Sequence, residues 1–233
     1  MGTPRHQYMM LSLPNSGTDW LCRILAKHGR GDGLRYYDKE FFNPICNLKY
    51  ATVLEGPFGC ELASCFENIG VRSEYQARDL EAAYRATWEM EGYNFDKENF
   101  SALKVPFFAQ HFDIVFLYRP AYNVFPPSRL RVWAWYDAIY TAMVANGEIE
   151  ADQLDLQERA LAAHAECWRV MRAAAAKIGA PILDYETLCK ASTESAVAYH
   201  LNVGWIAEAV DVKAAAREVF ASRFYKNKVP ADH

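Results

Sequence analysis

"HQYMMLSLPNSGTDWLCRIL", residues 6–25, is the stretch on which the fold turns. Tyr8 to Leu13 form a mostly apolar run that Pro14 ends abruptly. Asn15-Ser16-Gly17-Thr18 follow, all small or polar, and an amphipathic segment then begins. A short apolar run suits a buried strand and the breakers open a loop, so the order reads as strand, tight loop, helix. The backbone N–H groups of such a loop, together with those of the helix N-terminus, make an anion site that needs no basic side chain. Ser16 and Thr18 add hydroxyl donors, although the same hydroxyls also suit an ordinary helix cap. The pattern GxxxxGK[ST] is absent, since position 15 is Asn, so the loop by itself indicates a phosphate-like anion and no more.

Working outward, "KYATVLE" (49–55), "SALKV" (101–105), "DIVFLY" (113–118) and "APILDY" (180–185) read as further strands. Helical spacing runs through 18–28, 78–93, 128–146, 154–178, 191–202 and 206–224, with Gly179 placed to stop the fifth helical run's predecessor at 178. Strands separated by helical segments imply an α/β fold: a mainly parallel central sheet with helices on both faces, in a single domain spanning 1–233. In such sheets ligands lie at the carboxyl ends of the strands, which sorts residues by the edge they occupy.

Composition narrows the function class. Hydrophobic residues make up 52% of the chain, enough for a sizeable core, and the formal net charge of −4 argues against a general nucleic-acid binder. The six cysteines are scattered without a CxxC pair, which points to reduced thiols and a cytoplasmic location. Neither a signal-peptide pattern nor an apolar stretch of membrane-spanning length is expected, and no metal site is legible.

A second segment at the same edge is "FLYRPAYNVFPPSRLRVW" (116–133). Arg119 leaves the end of the clearest strand, and Ser128 follows near a helix start that Pro126-Pro127 sets up. A guanidinium makes bidentate contacts to phosphate and a hydroxyl completes the shell, while an ordinary ion pair with a neighbouring loop is the alternative role for the Arg.

"LPNSGTDWLCRIL" resembles the 5′-phosphosulfate-binding loop of the sulfotransferase family, which runs roughly Pro-Lys-Ser-Gly-Thr-Thr-Trp-Leu. "DIVFLYRPAYNV" with the later Ser is similar to that family's 3′-phosphate segment, and "HAECWRVMRAAAAKIGAPILDYETL" resembles its helix, strand and Tyr-Glu-x-Leu run. The three segments occur in the family's order. The resemblance implies a P-loop-NTPase-like (sulfotransferase) fold and a donor nucleotide, 3′-phosphoadenosine-5′-phosphosulfate, with no metal. It implies that Asn15, Ser16, Gly17, Thr18 and Asp19 cradle the 5′-phosphosulfate, that Trp20 stacks on the adenine and Tyr185 reaches it, and that Arg119 and Ser128 hold the 3′-phosphate; core packing is the ordinary role for the two aromatics. The chain departs from the family pattern in four places: Asn15 stands where Lys or Arg is usual, the Arg-to-Ser spacing is longer by one, the C-terminal Arg-Lys-Gly motif is missing, and Pro106 occupies the position of the usual catalytic His. In "SRFYKNK" (222–228), Arg223 or Lys226 is the candidate substitute for the missing motif, or else these residues complement a helix end.

The resemblance also implies sulfuryl transfer to a hydroxyl or amine, an in-line displacement governed by positioning and charge, with a base to take the acceptor's proton. Lys104 matches the Lys of the family's Lys-Thr-His strand and is the candidate that stabilises charge near the sulfuryl group. His111 precedes the strand 113–118 and so belongs to the opposite edge, roughly 20 Å from Arg119. Glu55, ending its strand before Gly56-Pro57, is the candidate base, with a loop-capping or Lys104-pairing role as its alternative and Glu61 in reserve. Aromatic residues at 32–60, 65–100 and 130–150 suit an apolar or aromatic small-molecule acceptor, or the core. A P-loop-like nucleotide kinase and a non-catalytic nucleotide-binding protein are the competing functions, and no nucleic-acid or membrane partner is expected.

Overall fold

The computed structural model of the protein describes residues 7–13, 15–37, 92–98, 105–124, 130–145, 149–150 and 152–226. The expected strand at 49–55, most of the expected helix at 78–93, and Glu55, Glu61, Lys104 and Ser128 lie outside the described residues. In chain order the elements are β1 (Tyr8–Ser12), α1 (Thr18–Lys27), β2 (Tyr36–Tyr37), β3 (Phe95–Glu98), α2 (Val105–His111), β4 (Asp113–Tyr118), α3 (Ala121–Val124), α4 (Leu130–Ala145), α5 (Leu156–Ile178), β5 (Ile182–Asp184), α6 (Tyr185–Lys190), α7 (Glu194–Leu201), α8 (Gly204–Ala209) and α9 (Val212–Lys226).

The strands form one five-stranded sheet, order β2-β3-β1-β4-β5, with every pairing parallel. Parallel sheets need cover on both faces. One face buries Met9, Leu11 and Phe116 under residues of α2, α4 and α5, among them Phe108, Tyr136 and Trp168. The other buries Met10, Val115 and Leu117 under α1 and α6–α9, among them Leu21, Tyr185, Trp205 and Val219. The α/β expectation with helices on both faces is met. No helix among the described residues is long and apolar enough to cross a membrane.

Local chemistry explains the long helix α5. Asp155 caps it, accepting from the N–H groups of Gln157 and Glu158, while the Glu158 carboxylate reaches back to the Asp155 N–H at 2.9 Å. Gly179, at φ 69°, ends it in the left-handed conformation that glycine adopts most readily.

Local expectations change in three places, and the first is that the helix expected over 206–224 is two, α8 and α9, broken at Val210-Asp211. The apolar stretch 101–105 read as a strand ended by Pro106, but Val105 is the first residue of α2 and Pro106 the second. Proline is tolerated in a first helical turn, where its missing N–H has no partner to lose. Strand β3, by contrast, was not expected: "FDKE" carries three charged residues in four, yet all four are buried.

Topology selects one place for a ligand. β1 connects through α1 to β2, beyond β3 on one side, whereas β4 connects through α3–α5 to β5 on the other. The chain therefore parts at the carboxyl ends of the adjacent strands β1 and β4, the switch point at which open α/β sheets bind ligands.

Candidate functional site

The loop after β1 and the residue after β4 meet at that switch point. Asn15 has φ 64° and Gly17 φ 87°, so two left-handed residues with Ser16 between them fold the backbone back into α1. Asn is among the few side chains that tolerate this conformation. The Asn15 amide nitrogen donates to the carbonyl of Val124 in α3, and the Asn15 carbonyl accepts from Arg119 Nη1 at 2.9 Å. The loop is thus held from both sides by the segment that follows β4.

Gly17 is required twice over. It takes a positive φ, and a Cβ built on it would lie 2.4 Å from Cε2 of Tyr185. Tyr185, the first residue of α6, is 3% exposed and presses its ring against the loop backbone. Arg119 lies over the same ring, 4.5 Å from its centroid, and Trp20 meets it edge-on at 5.6 Å. Burial, followed by the neighbouring Cys189, pushes the Tyr185 hydroxyl well above its ordinary pKa, so it remains a neutral phenol.

Gly17 is the N-cap of α1 and has no side chain to cap the first-turn N–H groups. Those groups give the helix start a partial positive charge. Ser16 and Thr18 are buried, at 1% and 3% exposure, and Thr18 Oγ1 lies 3.1 Å from Ser12 Oγ on β1. Asp19 in the first turn is ion-paired with Lys97, which climbs from the buried strand β3. Trp20 Nε1 donates to Ser222 Oγ at 3.0 Å, and Ser222 Oγ donates to the Glu218 carbonyl at 2.7 Å, so α9 is tied to the start of α1. Arg119 Nε is buried and has no hydrogen-bond partner among the described residues.

The structure therefore brings together Asn15, Ser16, Gly17, Thr18, Asp19, Trp20, Arg119 and Tyr185 from three separated segments. Arg223 lies in α9, one residue beyond the serine that anchors Trp20. His111 ends α2 at the amino edge, immediately before β4, as the topology argument required. Three participants were not anticipated: Ser12, Lys97 and Ser222. Nothing in the polar stretch around Lys97, "EGYNFDKENFS" (91–101), marked it out, since a charged run of that kind ordinarily lies on a solvated surface.

The aromatics of α4 offered as acceptor lining are instead core: Trp133, Tyr136 and Tyr140 are buried between α4, α5 and the sheet. A separate open cavity of about 420 Å³ lies beside Tyr140, lined also by Ile149, Leu154, Glu166 and Arg169. No group of three or more His, Cys, Asp or Glu among the described residues is arranged to hold a metal ion.

In chemical terms the crevice offers an uncapped helix start, a guanidinium fixed by two contacts, and an aromatic wall. That combination suits a tetrahedral oxyanion ester attached to a planar group. Compared with protein-family models and with curated proteins, the chain matches none.

Proposed function

We propose that the chain binds 3′-phosphoadenosine-5′-phosphosulfate between the carboxyl ends of β1 and β4 and transfers its sulfuryl group to a hydroxyl or amine of a small-molecule acceptor. The observation that carries this reading is the setting of Arg119. Its guanidinium is held by the Asn15 carbonyl and the Tyr185 ring, beside an uncapped helix start, while its buried Nε has no hydrogen-bond partner among the described residues. A buried charged donor is costly unless something accepts from it, and an anionic ester in the crevice would do so.

In the proposed reaction the acceptor atom attacks sulfur in line with the bond to the 5′-phosphate. A new O–S or N–S bond forms, the S–O bond to phosphate breaks, and adenosine 3′,5′-bisphosphate leaves with the electron pair. The acceptor's proton passes to a base, for which Glu55 is the candidate, and Lys104 is the candidate cation toward the leaving oxygen.

A second reading is favoured by one observation. Where the resembling family carries a loop cation, this chain has Asn15, and its amide is committed to the Val124 carbonyl. On that reading the protein binds the nucleotide without transferring the sulfuryl group.

Thermal unfolding tests both. Adenosine 3′,5′-bisphosphate at about a hundred times its Kd should add about 2.7 kcal/mol of stability, and Arg119→Ala should remove most of that gain. Stabilisation by ATP with Mg²⁺ and not by the bisphosphate would overturn the reading in favour of a kinase. Transfer of radiolabelled sulfate to a panel of alcohols, phenols and amines then separates a catalyst from a binder.

A further inference from the structure

Asn15 faces one connection of the chain twice. Its side-chain nitrogen donates to the carbonyl of Val124, and its own carbonyl accepts from Arg119 Nη1 at 2.9 Å. A carbonyl only accepts, so it is the –NH2 of the amide that faces Val124; a carboxylate or an apolar group at position 15 would not make this bond. Val124 is a firm anchor, since it ends α3 and is buried in the core that covers β1 and β4. Arg119 opens the same connection, immediately after β4. The amide therefore fixes Asn15 relative to the segment that carries the guanidinium.

What the amide holds in place is a peptide plane. The Asn15–Ser16 peptide is trans, so the Asn15 carbonyl and the Ser16 N–H point opposite ways from one rigid unit. With the carbonyl turned to Arg119, the N–H is turned away from it. Asn15 takes Nη1 of the guanidinium, and Nε lies on the other edge, buried and without a hydrogen-bond partner among the described residues. The edge made by Nε and Nη2 is a fork of the kind that meets a phosphate with two parallel hydrogen bonds. Tyr185 supports the guanidinium at 4.5 Å from its ring centroid, and Asn15 sets the direction in which the fork points.

We infer that Asn15, although it belongs to the loop for the 5′ end of the donor, is a positioning residue for the 3′-phosphate: tied to Val124, it holds the Arg119 fork in its binding direction and so sets how strongly nucleotides with a 3′-phosphate are preferred over those without one. This inference rests on the donor-binding part of the reading above and holds whether or not the sulfuryl group is transferred. An arginine side chain has many rotamers, and a ligand that must order one at the moment of binding loses affinity by that cost. Asn15 meets the cost during folding. It is also one of the few residues that combine a side-chain N–H donor with tolerance of the left-handed φ of 64° found there.

The test compares two nucleotides by calorimetry, adenosine 3′,5′-bisphosphate and adenosine 5′-phosphate. The ratio of their Kd values reads the 3′-phosphate alone, and in the natural chain it should be about tenfold or more. Asn15→Gly keeps the left-handed φ accessible and removes the amide. It should lower that ratio by about threefold or more, the cost of ordering one arginine side chain on binding. In the Arg119→Ala background the ratio is already reduced, and Asn15→Gly should then change it by less than about twofold. Asn15→Ala, which also lacks the donor, carries the same expectations if Asn15→Gly fails to fold, judged by circular dichroism. A merely structural role would weaken both nucleotides alike; a ratio that falls by less than about threefold in Asn15→Gly overturns the positioning role and leaves the donor reading standing. An equal fall with and without Arg119 overturns it as well. Failure of the bisphosphate to bind the natural chain refutes both.

Discussion

Gly17→Ala is the substitution that asks most of the site. Two costs meet at this position. The first is conformational: at φ 87° a non-glycine residue loses about 1 kcal/mol relative to glycine. The second is steric. The new methyl would sit 2.4 Å from Tyr185 Cε2 and 2.9 Å from Cδ2, so ring or loop must move by about 1 Å to reach ordinary carbon contact. The ring has little room, since it is 3% exposed and packed against Arg119 and Trp20. Overpacking of this kind costs about 1–3 kcal/mol, which gives about 2–4 kcal/mol in all. Urea unfolding of Gly17→Ala, Tyr185→Ala and the double variant separates the two costs. In the Tyr185→Ala background the glycine change should cost only about 1 kcal/mol, leaving a coupling of about 1–3 kcal/mol between the positions. The same loss in both backgrounds, or a loss below about 0.5 kcal/mol in the natural one, would show that Tyr185 does not press on the loop.

Two further outcomes are expected. His164, on α5 with its ring 5.5 Å from that of Tyr136 on α4 and 3% exposed, has its pKa lowered by burial from 6.5 to about 4. The unfolded chain therefore binds a proton that the folded one refuses, and this contribution, present above pH 6.5, is lost as pH falls towards 4. The loss should reach about 3 kcal/mol; the stability difference between the natural chain and His164→Leu should change by that much between pH 7 and pH 4 in urea titrations, and a constant difference would rule the effect out. Trp20→Ala should weaken adenosine 3′,5′-bisphosphate binding by about 1–3 kcal/mol while leaving inorganic pyrophosphate nearly unaffected, by calorimetry. Equal losses for the two ligands would confine Trp20 to its bond with Ser222 and its packing on Tyr185.

How much of this was legible in the sequence depended on whether the signal was local. β1, its loop and α1 were readable because an apolar run, a breaker and an amphipathic segment follow one another within residues 8–27. β4 was readable as an apolar hexapeptide, and α5 by its spacing and Gly179. β3 was not, because charge in three of four residues is the pattern of a solvated surface; the ion pair with Asp19, far away in the chain, helps to make a buried Lys97 tolerable. α2 was missed because Pro106 signals a strand end as readily as a first helical turn. At the site, the residues at strand ends could be placed from topology. Ser222 could not, since nothing in α9 marks which turn would face Trp20.

Tyr185 shows why the crevice cannot be treated as a property of the loop. Its ring is the shared neighbour of Gly17, Arg119 and Trp20, and it enters the site from the end of β5, the last strand of the sheet. Among the described strands β5 pairs with β4 alone, through Phe116, Leu117 and Tyr118, so its position is transmitted to the loop by the same strand that Arg119 follows. The first-strand loop, although formed from consecutive residues, therefore takes this shape against Tyr185 and Arg119 only when β5 is in place. A fragment ending before β5 would keep Ser16, Gly17, Thr18 and Arg119 but lack the surface that holds the guanidinium over the loop. Arg119 would then be free to adopt many rotamers, and the ordering cost would fall on the ligand at the moment of binding rather than on folding. On the proposed donor reading the late segment would thus contribute to affinity through preorganisation, while its own hydroxyl, buried and held neutral, would have no charge to offer the ligand.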